Sequence, residues 1–273
     1  MNPSGMYILN GEPRTLPSYI REAWQRRHVT LHLAASLMRS RIRGSALGVL
    51  LIIAHPLILA GIFAVVFGTA FKVDDLQRFT AYVLTGIVVF DYLSNCVSGS
   101  VTLIENAEPF TRQVRVPLIN FILPHWLNSI ILMLYGSIGV VIFSFLFPIT
   151  GFNFAMIIMP LNIVYLSLCF APVCVLFALV GDKFRGIRSF ISYFMLLLYY
   201  LSPVFIPLSA FENSPLATWV RINPAAGAID LLRSPVLDGR LPALDSYVSV
   251  GLLALISTLI AGVWLIKREG IEK

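Results

Sequence analysis

Long runs of apolar residues alternate with short charged islands along most of this chain. Five windows, at 44–71, 79–104, 116–181, 189–211 and 246–266, contain no Asp, Glu, Lys or Arg except for Asp91 in the second. A helix needs about 20 apolar residues to cross the hydrocarbon core of a membrane, because its backbone groups must all be paired internally there. Each window is therefore long enough for a membrane-spanning helix.

The third window is 66 residues long, more than one crossing needs, and the sequence FPITGFN at 147–153 supplies a turn near its middle. It is predicted to cross twice, which gives six spans. They are expected at about 46–71, 79–104, 117–147, 153–180, 188–208 and 246–266. The predicted fold class is an all-α integral membrane protein, with a cytoplasmic arm at 1–43 and a six-span transmembrane domain at 44–273.

The composition points to the same class. The chain is 58% hydrophobic and 12% charged, with a mean hydropathy of +0.83, far outside the range of soluble domains. The net charge of +6 is carried by short basic islands, a pattern that favours membrane orientation over nucleic-acid binding. Cys96, Cys169 and Cys174 lie in apolar stretches and are odd in number, so we expect small core residues, with no disulfide framework and no metal site.

Lys and Arg are distributed unequally between alternate loops. Fifteen of the 20 fall in the N-terminal arm, the island near 104–121, the loop containing GDKFRGIR and the C-terminal tail, and five fall in the other loops. Because cytoplasmic loops carry the excess of positive charge, both termini are predicted to be cytoplasmic.

The arm before the first span carries apolar residues at helical spacing. Ile20, Trp24, Leu31, Ala35 and Met38 fall roughly along one stripe, and the arginines lie elsewhere. This pattern predicts an amphipathic interface helix in the cytoplasmic headgroup layer, and a solvated arm is the alternative.

The segment IENAEPFTRQVRVPLINF, which starts at Ile104, places charges between the second and third spans on the predicted cytoplasmic side. We expect a short helix capped by Asn106 or Glu108, with Pro109 early in its first turn and Pro117 after its end. Acids at its start and arginines at its end match the helix dipole. Such a helix suits docking in a partner's groove, and an ordinary hairpin is the alternative.

The segment 201–239 is too long for a turn and too apolar for a solvated loop. Pro203, Pro207, Pro215, Pro224 and Pro235 divide it into pieces of one to three turns. This predicts short re-entrant helices between spans five and six, because irregular backbone is tolerated in a membrane only where protein or water covers it. They either gate a path or plug it.

Asp91 lies within a predicted span. An ionisable residue there is costly and indicates a functional position facing the bundle interior or a wet cavity. The alternative is a structural partner for Asn95 or His55. His55 precedes Pro56, where a helix kink is the preferred interpretation.

Several stretches carry a resemblance to a known family. RIRGSALGVLLIIAHPLILAGIFAVVF and LTGIVVFDYLSN look like its first-span and second-span signatures, and SPVFIPLSAF followed by RINPAAGAIDLLR is similar to its fifth-span exit and Asn-Pro segment. On these motifs the chain, from about Ser18, resembles the ABC-2 type permease subunits of exporters of O-antigen, capsule and teichoic acid. Two positions depart from the pattern: Val116 stands where an aromatic precedes Pro117, and Gly186 where many relatives have Asp.

The resemblance implies an ATP-driven exporter of a lipid-linked polysaccharide, such as the O-antigen of lipopolysaccharide, in the bacterial inner membrane. No Gly is followed by Lys, so the phosphate-binding loop GxxxxGK[ST] is absent; we expect no ATPase site and no bound cofactor in this chain. ATP and Mg would be bound by a partner ATPase in two copies, alongside a second copy of this chain, and no nucleic acid is implied. The implied coupling residues are Glu105, Asn106, Glu108, Phe110, Arg112, Arg115 and Arg185.

Further candidates concern the cargo. Because aromatic rings stack on sugar faces, the candidate channel lining is Tyr82, Phe90, Asp91, Tyr92, Tyr135, Tyr193, Tyr199 and Tyr200, although tyrosines near span ends are usually interface residues. The candidate outer gate is Pro207, Trp219, Asn223 and Pro224. The candidate site for a lipid pyrophosphate is Arg26, Arg27, Arg39, Arg41 and Arg43, whose charges membrane anchoring also explains.

Other functions fit the sequence less well. An exporter of a drug or a small lipid would share the fold. A membrane polyprenyl-phosphate sugar transferase should have paired carboxylates, a DxD motif or a His cluster at a membrane face, whereas the adjacent acids Asp74 and Asp75 fall on the outer side. A secondary transporter is disfavoured because no inverted repeat of broken spans is evident.

Overall fold

The computed structural model describes residues 14–42, 46–70, 72–111, 116–147, 154–184, 186–206, 222–269 and 271–272. Two short strands, β1 (Arg14–Thr15) and β2 (Ile271–Glu272), pair in parallel, so the two ends of the described chain lie side by side. The other regular elements in these ranges are helical.

The helices follow one another closely along the chain. They are α1 (Leu16–Gln25), α2 (Arg27–Ile42), α3 (Ala46–Ala70), α4 (Leu76–Ser98), α5 (Leu103–Thr111), α6 (Ile119–Leu146), a 3₁₀ turn (Phe154–Ile158), α7 (Met159–Lys183), α8 (Ile187–Leu201), α9 (Pro224–Arg233), a π turn (Ser234–Asp238) and α10 (Leu244–Glu269).

Five helices in the described ranges are long and apolar enough to cross a membrane: α3, α4, α6, α7 with its 3₁₀ turn, and α10. The fifth predicted span, near 188–208, corresponds to α8, which has 15 residues. At about 1.5 Å per residue α8 is about 22 Å long, shorter than a hydrocarbon core of about 30 Å. The all-α membrane fold is confirmed, and the six-span count stays a prediction.

Helix α4 lies at the centre of the bundle. In its most apolar window 72% of the residues are buried, against 17% in α3 and in α10. Leu84, Ile87 and Val89 of α4 are fully buried, and α4 packs against α3, α6, α7 and α9. The exposed Leu, Ile and Val side chains of α3 and α10 therefore form the surface that lipid would cover. Cys96, Cys169 and Cys174 are buried and free, as predicted.

Helix α5 begins earlier than the sequence suggested. The chain leaves α4 at Ser98, turns, and starts α5 at Leu103, so Asn106 and Pro109 lie inside the helix and neither Asn106 nor Glu108 caps it. The predicted cap is wrong because backbone bonds of the preceding turn start the helix: the amide of Leu103 donates to the Ser100 carbonyl.

The arm forms two helices separated at Arg26 rather than one continuous stripe. Ile20, Trp24 and Leu31 are exposed, as a membrane-facing surface requires, but Met38 is buried against the protein. The predicted stripe is wrong at Met38 because the buried face of α2 follows the row Thr30, Ala34 and Met38, at a spacing of four, which packs towards α6 and leaves Leu31 outside it.

Candidate functional site

A cavity of about 730 Å³ lies between α3, α4 and α6, beside the end of α2. Its apolar walls include Leu47, Leu51, Ile52, Val88, Leu132 and Met133, and its polar lining residues are Arg41, His55, Asp91 and Asn95. An apolar cavity with a few convergent polar groups is the usual form of a ligand site.

Two polar residues of this cavity, Asp91 and His55, lie well inside the long apolar helices that carry them. Asp91 is seven residues before the end of α4, about 10 Å along the helix, and His55 is nine residues after the start of α3, about 14 Å. The Asn95 amide donates to the backbone carbonyl of Asp91 at 2.8 Å and not to its carboxylate. Among the described residues the Asp91 carboxylate forms no hydrogen bond or ion pair, so it is available to a ligand or to water.

The candidate channel aromatics are not gathered into one path within a single chain. Asp91 and Tyr92 line the cavity, but the Tyr92 ring packs edge-on against Phe170 of α7. Phe90 packs against Tyr199 of α8, with ring centroids 4.8 Å apart. Tyr135 on α6 is partly buried, Tyr82 lies at the other end of α4, and Tyr193 and Tyr200 are exposed on α8.

Arg233 is a buried charge that the sequence reasoning counted only as a loop residue. It is 8% exposed at the end of α9, and its Nη1 donates to the Pro203 carbonyl at 2.6 Å. Its Nη2 donates to the Tyr82 carbonyl at 2.9 Å, and its Nε donates to the Thr85 hydroxyl at 3.3 Å. The guanidinium also lies 3.5 Å from the centroid of the Tyr82 ring. A lone Arg among the apolar residues of LLRSPVL was the available signal.

The Asn-Pro segment forms the start of α9. The Asn223 side chain accepts from the Ala225 amide at 2.9 Å and donates to the Ser202 hydroxyl at 3.0 Å, and Pro224 occupies the first turn. Asp230 accepts from the Ser246 hydroxyl at 2.6 Å, which ties α9 to α10. Of the other gate candidates, Pro207 and Trp219 lie outside the described residues.

The turn between α4 and α5 packs closely against α7 and α6. A Cβ added at Gly181 of α7 would overlap the carbonyl oxygen of Val101 in this turn, so only glycine allows the approach. His125 Nε2 of α6 lies 2.9 Å from the Asn95 carbonyl oxygen near the end of α4. Helix α5 itself also packs against α7 and α6.

The coupling candidates fall partly within the described region. Glu105 and Asn106 are exposed on α5. Glu108 and Phe110 lie on the described backbone of α5, but their side chains, like Arg112, Arg115 and Arg185, lie outside the described residues.

Two buried asparagines of α6 bind the arm. Asn120 Nδ2 lies within hydrogen-bonding distance of the Ala23 carbonyl (3.0 Å), the Arg26 carbonyl (3.3 Å) and the Thr30 hydroxyl (2.9 Å). Asn128 donates to the Ala34 carbonyl at 3.1 Å. Sequence reasoning missed both, because asparagines in an apolar window give no indication of partners about 90 residues away.

The candidate headgroup arginines have different surroundings. Arg26 pairs with Glu22 at 3.3 Å, and Arg27 lies over the Trp24 ring at 5.4 Å. Arg39 donates to the carbonyl one turn before it, Arg41 lines the cavity, and Arg43 lies outside the described residues. Within this set, Arg41 is therefore the arginine that the structure joins to the cavity.

The sequence model of the ABC-2 type transporter family matches residues 29–237, more than half of the chain. The chain therefore belongs to the ABC-2 type transporter family: it is a transmembrane subunit of an ABC transporter, and the ATPase is on a partner subunit. It is similar to the O-antigen export system permease protein RfbA of Myxococcus xanthus, at 21% identity over 251 residues, covering 87% of this chain and 91% of that protein. The resemblance drawn from the sequence motifs is thus confirmed.

Proposed function

We propose that this chain is the membrane subunit of an ATP-driven exporter that carries a lipid-linked, O-antigen-like polysaccharide from the cytoplasm across the bacterial inner membrane. The Myxococcus relative is named for O-antigen export and is covered over 91% of its length, which supports a glycan cargo. The observation that carries the proposal is the cavity at Asp91.

This cavity matches the chemistry of a lipid-linked glycan. The cargo joins a hydrocarbon tail to a phosphate group and hydroxylated sugars. Arg41 supplies positive charge for the phosphate, while Asp91, Asn95 and His55 supply hydrogen-bonding groups for hydroxyls. Asp91 and His55 are costly within a membrane span unless a polar ligand or water meets them.

A second copy of this chain is part of the proposal. A cavity of about 730 Å³ has the size of a small-molecule site and holds a headgroup rather than a polymer. A path wide enough for a polysaccharide would therefore form between two copies. Tyr193 and Tyr200, exposed by 73% and 53% on α8, would then supply sugar-stacking rings at that path.

The ATP-driven motion of the ATPase subunits would reach this chain through α5. Two ATPase subunits, which bind ATP and Mg, would press on the exposed residues Glu105 and Asn106 and on the other coupling candidates. Because the turn before α5 packs on Gly181, a rigid-body shift of α5 would switch α7 and α6 between discrete arrangements. The charge distribution and the pairing of β1 with β2 support cytoplasmic locations for both termini.

The outer gate would be α9 and the segment before it. Arg233 and Asp230 hold α9 against α4 and α10, and this arrangement would be the closed state. Asn223 and Pro224 begin α9, and Pro207 and Trp219, which precede them in the sequence, would belong to the same gate.

The test replaces the cavity carboxylate in cells that make a surface glycan. Asp91→Asn should lower surface glycan at least about tenfold and leave lipid-linked glycan in the cytoplasmic leaflet, since loss of one charged hydrogen-bonding group removes about 1.5–3 kcal/mol of binding. Asp245→Asn, at an exposed position on the first turn of α10, is the matched control. Full surface glycan in Asp91→Asn and Asp91→Leu would refute the proposed role of the cavity, and unchanged glycan after deletion of the whole chain would refute the glycan cargo.

A further inference from the structure

A second cavity, of about 340 Å³, lies where α7 and α10 end side by side. It is lined by Leu179, Asp182, Lys183, Trp264, Lys267 and Arg268. It shares no residue with the cavity at Asp91, and the proposed export and coupling steps do not use it.

The lining residues of this second cavity leave a surplus of positive charge. Arg268 Nε donates to Asp182 Oδ2 at 2.7 Å, so the carboxylate of the lining is already neutralised. Lys183, Lys267 and Arg268 stand against one carboxylate and two helix C termini of about half a negative charge each, which leaves a net charge of about +1.

Aromatic rings hold one of these cations in place. Lys183 Nζ lies 4.7 Å from the Trp264 ring centroid and 5.2 Å from that of Phe184. A cation–π contact fixes the ammonium, while its N–H groups that do not face a ring can still donate to an oxygen. Trp264 next to basic residues at a helix end is typical of the level of the lipid headgroups.

An apolar stripe leads away from the same site. Leu255, Leu259 and Val263 are exposed on α10 at a spacing of four, and Lys267 continues that row one turn further on. An extended hydrocarbon chain can follow this row while its charged end stays at Lys267.

The geometry points to a binding site for an anionic phospholipid, with its phosphate between Lys183 and Lys267 and an acyl chain along Leu255–Val263. Basic cavities between transmembrane helices at the membrane surface are suited to anionic headgroups. A free phosphate would meet the same two lysines but would gain nothing from the stripe. The inference depends on the membrane location of the chain and not on its cargo.

The experiment titrates the purified full-length chain in detergent with brominated phosphatidylglycerol or brominated phosphatidylcholine and follows the quenching of tryptophan fluorescence. Inorganic phosphate is added as a competitor. Phosphatidylglycerol should quench a component that Trp264→Phe removes, and phosphatidylcholine should not. Lys183→Gln and Lys267→Gln should each weaken phosphatidylglycerol binding about fivefold, the effect of one basic residue near a membrane surface. Lys72→Gln, an exposed lysine in the α3–α4 turn at the opposite end of the spans, is the control and should bind normally.

Equal binding of the two lipids, or normal binding by both lysine variants, would overturn the inference. Competition by inorganic phosphate as strong as by the lipid would show a free-anion site instead. If the lysine variants bound lipid normally but no longer associated with the ATPase, the site would be a protein contact instead. Because the readout is lipid binding, a failed export proposal leaves this result unaffected.

Discussion

The buried guanidinium of Arg233 allows a quantitative test of how α9 is held. In Arg233→Met the Tyr82 carbonyl and the Thr85 hydroxyl each lose one donor, but the Tyr82 carbonyl keeps the Thr85 hydroxyl at 2.9 Å and the Pro203 carbonyl keeps the Tyr82 hydroxyl at 3.0 Å. Each hydrogen bond lost from the charged guanidinium costs about 1.5–3 kcal/mol, and the lost cation–π contact adds about 1–2 kcal/mol. Relief of the cost of burying the charge offsets part of this. The free energy of unfolding is therefore expected to fall by about 3 kcal/mol.

The assay is thermal unfolding of the purified chain, together with hydrogen exchange across α9. A loss of about 3 kcal/mol corresponds to a Tm lower by about 6–12 °C, with exchange rising first in α9. Arg233→Lys keeps the charge but not the forked set of donors, so its Tm should lie between those of the wild type and Arg233→Met. Arg240→Met is the control, because this side chain is 69% exposed and its ion pair with Asp238 is worth little. If Arg233→Met has the same Tm as the wild type, Arg233 does not hold α9 in place.

Two other predictions concern the end of the bundle where the arm and α5 lie. Gly181→Ala places a Cβ on the Val101 carbonyl oxygen, so it should displace α5 and abolish ATP-driven transport. The control Gly262→Ala, where an added Cβ meets nothing within 4 Å, should transport normally. Normal transport by both variants would exclude the turn between α4 and α5 from coupling. Asn120→Leu should weaken the attachment of the arm to α6 by about 2–3 kcal/mol. The measurement is hydrogen exchange, which should be faster in α1 and α2 than in the control Asn106→Leu, a change at an exposed position. Equal exchange rates would contradict the role given to Asn120.

The long helices could be predicted because they depend on a property of each residue alone. A window without charges must hide its backbone in helices wherever lipid surrounds it, and this reasoning located α3, α4, α6, α7 and α10. The sequence analysis noted the Asn-Pro segment only through the family resemblance, although Asn223 as cap and Pro224 in the first turn of α9 form a local pattern.

The contacts that hold the site together were not predictable in this way. Arg233 and Asn120 donate to backbone carbonyls far away in sequence, and every residue type offers a carbonyl, so no pattern identifies the acceptor. Tertiary packing against α6 also decided that Met38 of α2 is buried, whereas the start of α5 was set by backbone bonds of the turn before it. Asp91 was found because its charge alone is informative inside a membrane, but the cavity around it required three helices to be placed.

The link between Asn120 and the arm affects how the chain is assembled during synthesis. Thr30 and Asn120 are 90 residues apart, and the chain emerges from the ribosome N-terminus first, so α1 and α2 are complete long before α6. Until then the Ala23 carbonyl and the Thr30 hydroxyl lack Asn120 as a partner, and the Arg26 carbonyl has the Val29 amide of the arm as its donor. The outward-facing Ile20, Trp24 and Leu31 can hold the nascent arm at the bilayer surface during this interval, ready to be captured when the third span inserts.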